Sequence, residues 1–195
     1  MKFNMFLIAT IIVVASCKRE RPLHQNPPPG FDMSYIDLTG KEIPFRKSVS
    51  LDLNNDNRYD ISFTTELVGD AIGKRDKMLF LVASDFFTSL PVNEFEESPA
   101  KNKNEIIPVN NFDSYTWYNA SAVILAQKII PLTGENYWEG NWKDISHRYL
   151  PIQVKADNKR YNGWVELSFD KEAEKTILHR AAISKKAESD VRAGV

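Results

Sequence analysis

Apolar residues recur at every second position on either side of an Asp- and Asn-rich break. Val49, Leu51 and Leu53 alternate with Ser50 and Asp52, and Tyr59, Ile61 and Phe63 alternate with Asp60, Ser62 and Thr64. A period of two marks a strand with one buried face, whereas a helix needs apolar residues every three or four positions. The break Asn54-Asn55-Asp56-Asn57-Arg58 therefore predicts a hairpin loop. Matching the apolar faces pairs Leu53 with Tyr59, Leu51 with Ile61 and Val49 with Phe63, which sets Asp52 opposite Asp60.

The same reading extends along the chain. Met78 to Ala83, Ile106 to Val109 and Ala122 to Ile130 are apolar runs, the last read as a strand rather than a short helix. Tyr149 to Lys155, Arg160 to Phe169 and Thr176 to Ser184 are three β-rich runs, separated by the turn Asp157-Asn158 and the polar link Asp170 to Glu174, which predicts a meander. The middle between Asp85 and Ser114 is less regular and rich in Asn, Pro and Glu. Short strands at this spacing predict an all-β domain, an antiparallel β-sandwich of jelly-roll-like type, over residues 33–184. Residues 185–195 turn polar and are expected to fray.

The N-terminus has a separate pattern. Lys2 precedes an apolar run from Met5 to Val14, which ends at Ala15-Ser16-Cys17 and the polar Lys18-Arg19-Glu20-Arg21. This run is shorter than the roughly 20 residues that span a bilayer, so residues 1–16 read as a signal peptide. Val14-Ala15-Ser16-Cys17 resembles the lipobox of bacterial lipoproteins, and the only Cys of the chain stands at the acylated position. Cys17 is thus the expected lipidation site, with fatty chains as the membrane anchor. Residues 17–32, with Pro22 and Pro27-Pro28-Pro29-Gly30, read as the lipidated Cys and a proline-rich tether. A single Cys also rules out a disulfide scaffold or a cysteine-rich zinc site. A net charge of -1 offers no basic surface for nucleic acid.

Asp52 to Asp60 resembles the calcium loops of EF-hand and dockerin type. Asp52, Asn54, Asp56, the Arg58 carbonyl and Asp60 fall at ligand positions 1, 3, 5, 7 and 9, and oxygen donors at alternate residues suit a hard cation. Asn57 stands where Gly makes the turn, and Phe63 stands where a bidentate Glu belongs, so any calcium site here is weak and structural. The competing readings are a plain turn, for which Asn and Asp are also selected, and Arg58 as the counter-charge for the opposed carboxylates.

Two aromatic clusters stand out: Phe112, Tyr115, Trp117 and Tyr118, then Tyr137, Trp138 and Trp142. Trp138 and Trp142 are candidate ligand-binding residues, since aromatic faces stack on sugar rings and Asn136, Glu139 and Asn141 lie beside them. The alternative is that they fill or rim the core, where Trp164 also belongs. His24, His147 and His179 have no ligand-spaced partner, and no G-x-S-x-G elbow, phosphate loop or H-E-x-x-H helix occurs. Paired carboxylates such as Glu94, Glu96 and Glu97 are of the type that glycoside hydrolysis uses, and beside Ser98-Pro99 they read as a solvated acidic stretch. No catalytic residue is assigned.

On the lipobox, the Asp52 to Asp60 turn and the late strand Gly163-Trp164-Val165-Glu166-Leu167, the chain resembles exported lipoproteins of Bacteroides-type bacteria. That resemblance implies export and a β fold and brings no activity with it. The expected protein is lipid-anchored in the cell envelope, on the outer membrane in preference to the inner, and acts by binding or envelope structure. Its expected partners are the membrane, through the N-terminal lipid, and a glycan or an envelope protein. The alternatives are a glycan-binding accessory lipoprotein and, behind it, a carboxylate-dependent glycoside hydrolase.

Overall fold

The structure, a computed structural model, describes residues 32–195. Cys17, the lipobox and nearly all of the tether lie outside the described residues. Among these residues there is no helix. The strands are β1 (Met33–Pro44), β2 (Val49–Leu51), β3 (Ile61–Asp70), β4 (Arg75–Ser84), β5 (Thr88–Val92), β6 (Ile106–Ile107) and β7 (Thr116–Asn119). They continue as β8 (Ala122–Pro131), β9 (Tyr137–Glu139), β10 (Arg148–Ala156), β11 (Lys159–Asp170), β12 (Lys175–Ser184) and β13 (Val191–Arg192).

The long strands form two antiparallel sheets: six strands in the order β1-β12-β11-β10-β5-β7 and five in the order β2-β3-β4-β8-β9. Packed face to face, they are the β-sandwich that the alternation predicts. Sequence neighbours pair as hairpins in β2-β3-β4, β8-β9 and β10-β11-β12, while β1-β12, β10-β5, β5-β7 and β4-β8 join strands that are not consecutive in sequence. Val49 pairs with Phe63 and Leu51 with Ile61, as the apolar match requires. The β10-β11-β12 meander forms, and the turn between its first two strands has Asp157 and Asn158 at φ of 48° and 57°, the left-handed pair that a tight hairpin needs. β1 has no clean alternation in sequence because its register slips between Asp37 and Lys41.

The shared core joins Phe63, Val82 and Leu125 from the five-stranded sheet to Leu150, Val165 and Leu178 from the other. Burying each such side chain contributes about 1.5–3 kcal/mol. Along β11 the alternation then places Asn162, Trp164 and Glu166 on the far face of the six-stranded sheet, yet all three are buried. That second burial needs a cover. β6, β13 and Ala193 supply it, with Ile107, Val191 and Ala193 packed on Trp164 and Tyr149. The close layering is visible at Gly163, where a Cβ would stand 2.4 Å from the Ala182 carbonyl oxygen.

The C-terminal residues therefore do not fray. Val191 pairs with Ile107, and the Ala193 N–H donates to the Glu105 carbonyl over 2.9 Å. Two small apolar residues at alternate positions suffice to dock the segment, while its charged residues stay at the rim. Arg160 holds Glu188 at 2.6 Å there, and the Asp190 carboxylate accepts the Val109 N–H. Deleting residues 190–195 would uncover Trp164 and Tyr149. A lowered melting temperature with red-shifted tryptophan emission is expected, and unchanged emission would mean that the segment covers nothing.

Candidate functional site

The β2–β3 loop, the first residues of β1, Phe87 and the β10–β11 turn surround an open cleft of about 1110 Å³ at one end of the sandwich. Clefts of roughly 300–1,000 Å³ hold small ligands, so this one is large enough for an extended one. Phe87 and Tyr161 offer ring surface, and Asn54, Asn158 and Lys155 offer amide and ammonium groups, whereas the Tyr35 ring packs edge-on against Trp164, 6.3 Å away, on the far face of the six-stranded sheet. Phe87 is 39% exposed, so its ring is within a ligand's reach.

The loop wall is held by its own side chains. Asp52 accepts the N–H groups of Asp56 and Asn57 at 3.2 and 2.8 Å, and Asp56 accepts the Arg58 N–H at 2.9 Å. Asn55 and Asn57 adopt φ of 60° and 67°, a left-handed backbone that Asn tolerates. The Arg58 guanidinium lies 3.0 Å from the Asp56 carboxylate and 4.5 Å from the Phe87 ring centre. Its hydrogen bond to Asp56, helped by Asn54, holds that carboxyl below its ordinary value.

Asp60 is turned the other way. It is 3% exposed, its carboxylate accepts the Leu53 N–H at 2.6 Å, and the Thr88 hydroxyl donates to it at 3.2 Å. Burial pushes its carboxyl above the usual value, although both hydrogen bonds oppose the shift. The ladder ends at Leu51 and Ile61, where the Asp60 N–H donates to the Leu51 carbonyl, so Asp52 and Asp60 do not face each other as open like charges. Of the five loop positions, Asp52, Asn54, Asp56 and Arg58 line the cleft and Asp60 does not. Among the described residues no group of three or more His, Cys, Asp or Glu side chains is placed to hold a metal ion.

The two tryptophans separate. Trp142 is fully buried in the shared core, and its indole N–H donates to the Ser98 carbonyl at 3.1 Å, so it cannot be a sugar platform. Gly140, at φ 102°, permits this burial, because a Cβ would stand 2.7 Å from the Leu125 carbonyl oxygen. Trp138 is half-buried on Phe80 and Phe169, with ring centres 5.8 and 5.2 Å away, and it lies away from the cleft. The pair misled because a Trp in an Asn-rich segment looks the same in sequence whether the fold turns it in or out.

A second polar cluster was missed. The Glu166 carboxylate receives Arg180 Nε at 2.5 Å and contacts His147 Nδ1 at 2.8 Å, while the rings of His147 and His179 stack 4.0 Å apart. His179 Nε2 lies 2.8 Å from the Ser168 hydroxyl. Burial pushes Glu166 up, but Arg180 and His147 together outweigh it and hold the carboxyl below its ordinary value. Burial first, and then the charge of His147, lower His179. The signal was present: the β11–β12 register sets Glu166 opposite Arg180, an opposite-charge pair readable once the meander is drawn. This cluster lines no cleft described above and accounts for a buried charge.

Compared with known protein families, with curated proteins and with solved structures, the chain matches none. The functional reading therefore rests on the cleft and the sequence.

The loop generates two expectations. Asp60 is raised in the fold, so the folded state holds its proton more tightly than the unfolded chain, and Asp60 subtracts stability as pH rises through and above the ordinary aspartate range of about 3.9. In Asp60→Asn this loss is removed. Melting temperatures measured from acid to neutral pH should show the wild type's standing relative to the variant falling as pH rises, and a constant gap would contradict the burial argument. Second, Arg58 already neutralises Asp56. Millimolar calcium should leave the wild-type melting temperature at its value in chelator, and Arg58→Ala should make the loop calcium-responsive. A rise in the wild type would show calcium displacing Arg58.

Proposed function

We propose that this chain is a lipid-anchored protein of the cell envelope that binds a polyhydroxylated ligand, of glycan type, in the cleft beside the β2–β3 loop. The observation that carries the reading is the composition of that cleft: the exposed Phe87 ring and the half-buried Tyr161 ring beside the amides of Asn54 and Asn158. Sugar rings present apolar C–H faces and hydroxyl edges together, and aromatic planes set among amide and carboxylate groups complement both. Lys155, in no ion pair among the described residues, adds a donor, while Arg58 stays engaged with Asp56 and Phe87.

The anchor is supported by the lipobox-like Val14 to Cys17 and the proline-rich stretch after it. β1 begins at the cleft, with Ser34 and Tyr35 in its wall, so a tether joined at Met33 would hang the domain by its binding end. A ligand would then be held on the membrane side of the domain. Calcium enters this reading only as a competitor of Arg58 at the rim.

The test has two parts on the full-length chain. A glycan array followed by calorimetric titration should find a ligand whose affinity falls about tenfold in Phe87→Ala, the effect of losing roughly 1.4 kcal/mol of ring contact. The melting temperature should change little, because Phe87 is exposed and belongs to none of the core clusters. Binding that ignores this substitution, or an array without any ligand, would overturn the cleft. For the anchor, Cys17→Ala should abolish incorporation of a fatty-acid analogue, and undiminished labelling would overturn it.

A further inference from the structure

The β3–β4 hairpin is covered unevenly. β4 pairs with β3 from Ile61↔Ser84 through Asp70↔Arg75, whereas β2 reaches only Ile61 to Phe63 on the opposite side. Residues 66–70 of β3 are thus an open strand edge: among the described residues no strand pairs with them from that side, and the chain leaving β1 reaches only Thr65, whose hydroxyl accepts the Arg46 N–H. Such edges are ordinarily blunted by Pro, by Lys or by a bulge. Thr64-Thr65-Glu66-Leu67-Val68-Gly69-Asp70 contains neither residue, and its register with β4 is unbroken. Leu67 and Val68 are 55% and 41% exposed on it. The hairpin end is also fixed, since the Gly73 N–H donates to Asp70 at 2.8 Å and Arg75 and Lys77 lie 3.0 and 3.3 Å from the same carboxylate.

We propose that this edge pairs with the same edge of a second copy of the chain, antiparallel about a two-fold axis through Leu67. The register follows from charge and from the pleat. Side chains facing each other across a ladder must lie on one face, so a symmetric pairing is centred on a residue. Centring on Glu66 sets Glu66 against its copy, and centring on Val68 sets Glu66 against Asp70; both are like-charge pairs that cost stability. Centring on Leu67 gives Leu67 against Leu67, Glu66 against Val68, Thr65 against Gly69 and Thr64 against Asp70, without a like-charge pair.

Two further observations fit that centre. Leu67 pairs with Met78, which is buried with Phe80 and Phe169, so two Leu67 side chains meeting at the axis would continue this apolar cluster from one copy into the other. At Thr65 the lateral space is shared with the segment leaving β1, whose Arg46 N–H donates to the Thr65 hydroxyl at 2.8 Å. The residue brought there from the second copy is Gly69, which has no side chain to accommodate. An extended segment of a foreign protein would use the same edge without this self-match.

The test uses the full-length chain in detergent with Cys17→Ser, so that an introduced thiol is the only one. Residues directly opposite in an antiparallel pair have Cα atoms about 4.5–5.5 Å apart, within the roughly 4.4–6.8 Å that a disulfide spans. Mild oxidation of Leu67→Cys should give a disulfide dimer. Val68→Cys, whose two copies sit two positions apart along the strands, should give about tenfold less, because a separation above ~7 Å cannot be bridged. Light scattering should show a dimer for the parent and a monomer for Leu67→Lys, with an unchanged circular dichroism spectrum in this exposed-residue variant. A monomeric parent, equal crosslinking at the two positions, or a dimer that survives Leu67→Lys would each overturn the pairing; a monomer that captures another protein at this edge would do the same.

Discussion

The carboxylate of Asp60 is the tie on which the cleft end of the sandwich depends. It accepts the Leu53 N–H on one side and the Thr88 hydroxyl on the other, and so links the loop of the five-stranded sheet to β5 of the six-stranded sheet. Its backbone continues the work, with the N–H donating to the Leu51 carbonyl and the carbonyl accepting from Asp85. A buried carboxyl is costly unless its oxygens are satisfied, and here both are. With Asp60 drawn inward, the remaining Asp and Asn residues of the loop are free to shape a wall. The electrostatic strain expected between two facing aspartates is resolved by separating them: Asp60 takes buried hydrogen bonds, while Asp52 accepts the N–H groups of Asp56 and Asn57.

A second constraint is the double burial of the six-stranded sheet. Its outer face carries polar side chains in the middle of strands, and Gln153, Asn162 and Glu166 each have a specific partner, whereas the buried Trp164 indole N–H has none among the described residues. Gln153 reaches Asn162 at 2.8 Å, Asn162 reaches the Ile107 carbonyl at 3.0 Å, and Glu166 is held by Arg180 and His147. Removing Arg180 would leave Glu166 with a charge that burial already disfavours, a loss expected to be larger than that of any surface ion pair. The small β6–β13 sheet is as much a lid on this polar row as on Trp164.

How far the sequence reveals this depends on the range of the interaction. Strand alternation and turn residues are local, so the β2–β3 register and the β10-β11-β12 meander could be read directly from Val49, Leu51, Ile61, Phe63 and the Asp157-Asn158 pair. The four loop residues at the cleft were legible as a special cluster for the same reason. Asp60 was read as a fifth member of that cluster, and its inward turn was not legible, because its partner Thr88 lies far along the chain in the opposite sheet. Trp142 and the C-terminal residues misled for a related cause: polar neighbours in sequence concealed side chains that the fold turns inward. β1 was hidden by its own bulge, and the histidine pair by the hairpin that brings His147 to His179.

One consequence concerns the order of assembly. β1 is bonded along the sheet only to β12, with Met33 against Ser184 and Pro44 against Lys175, so the first strand of the domain waits for the last long one. Contacts this distant in sequence slow closure, because loop entropy is lost before the contacts that reward it are made. A chain emerging from the ribosome can form the β3–β4 hairpin early, yet it cannot complete the six-stranded sheet until β12 has been synthesised. The partly made domain is therefore kept from its final shape by topology alone, a property that suits any polypeptide that must be threaded through a narrow pore before it folds.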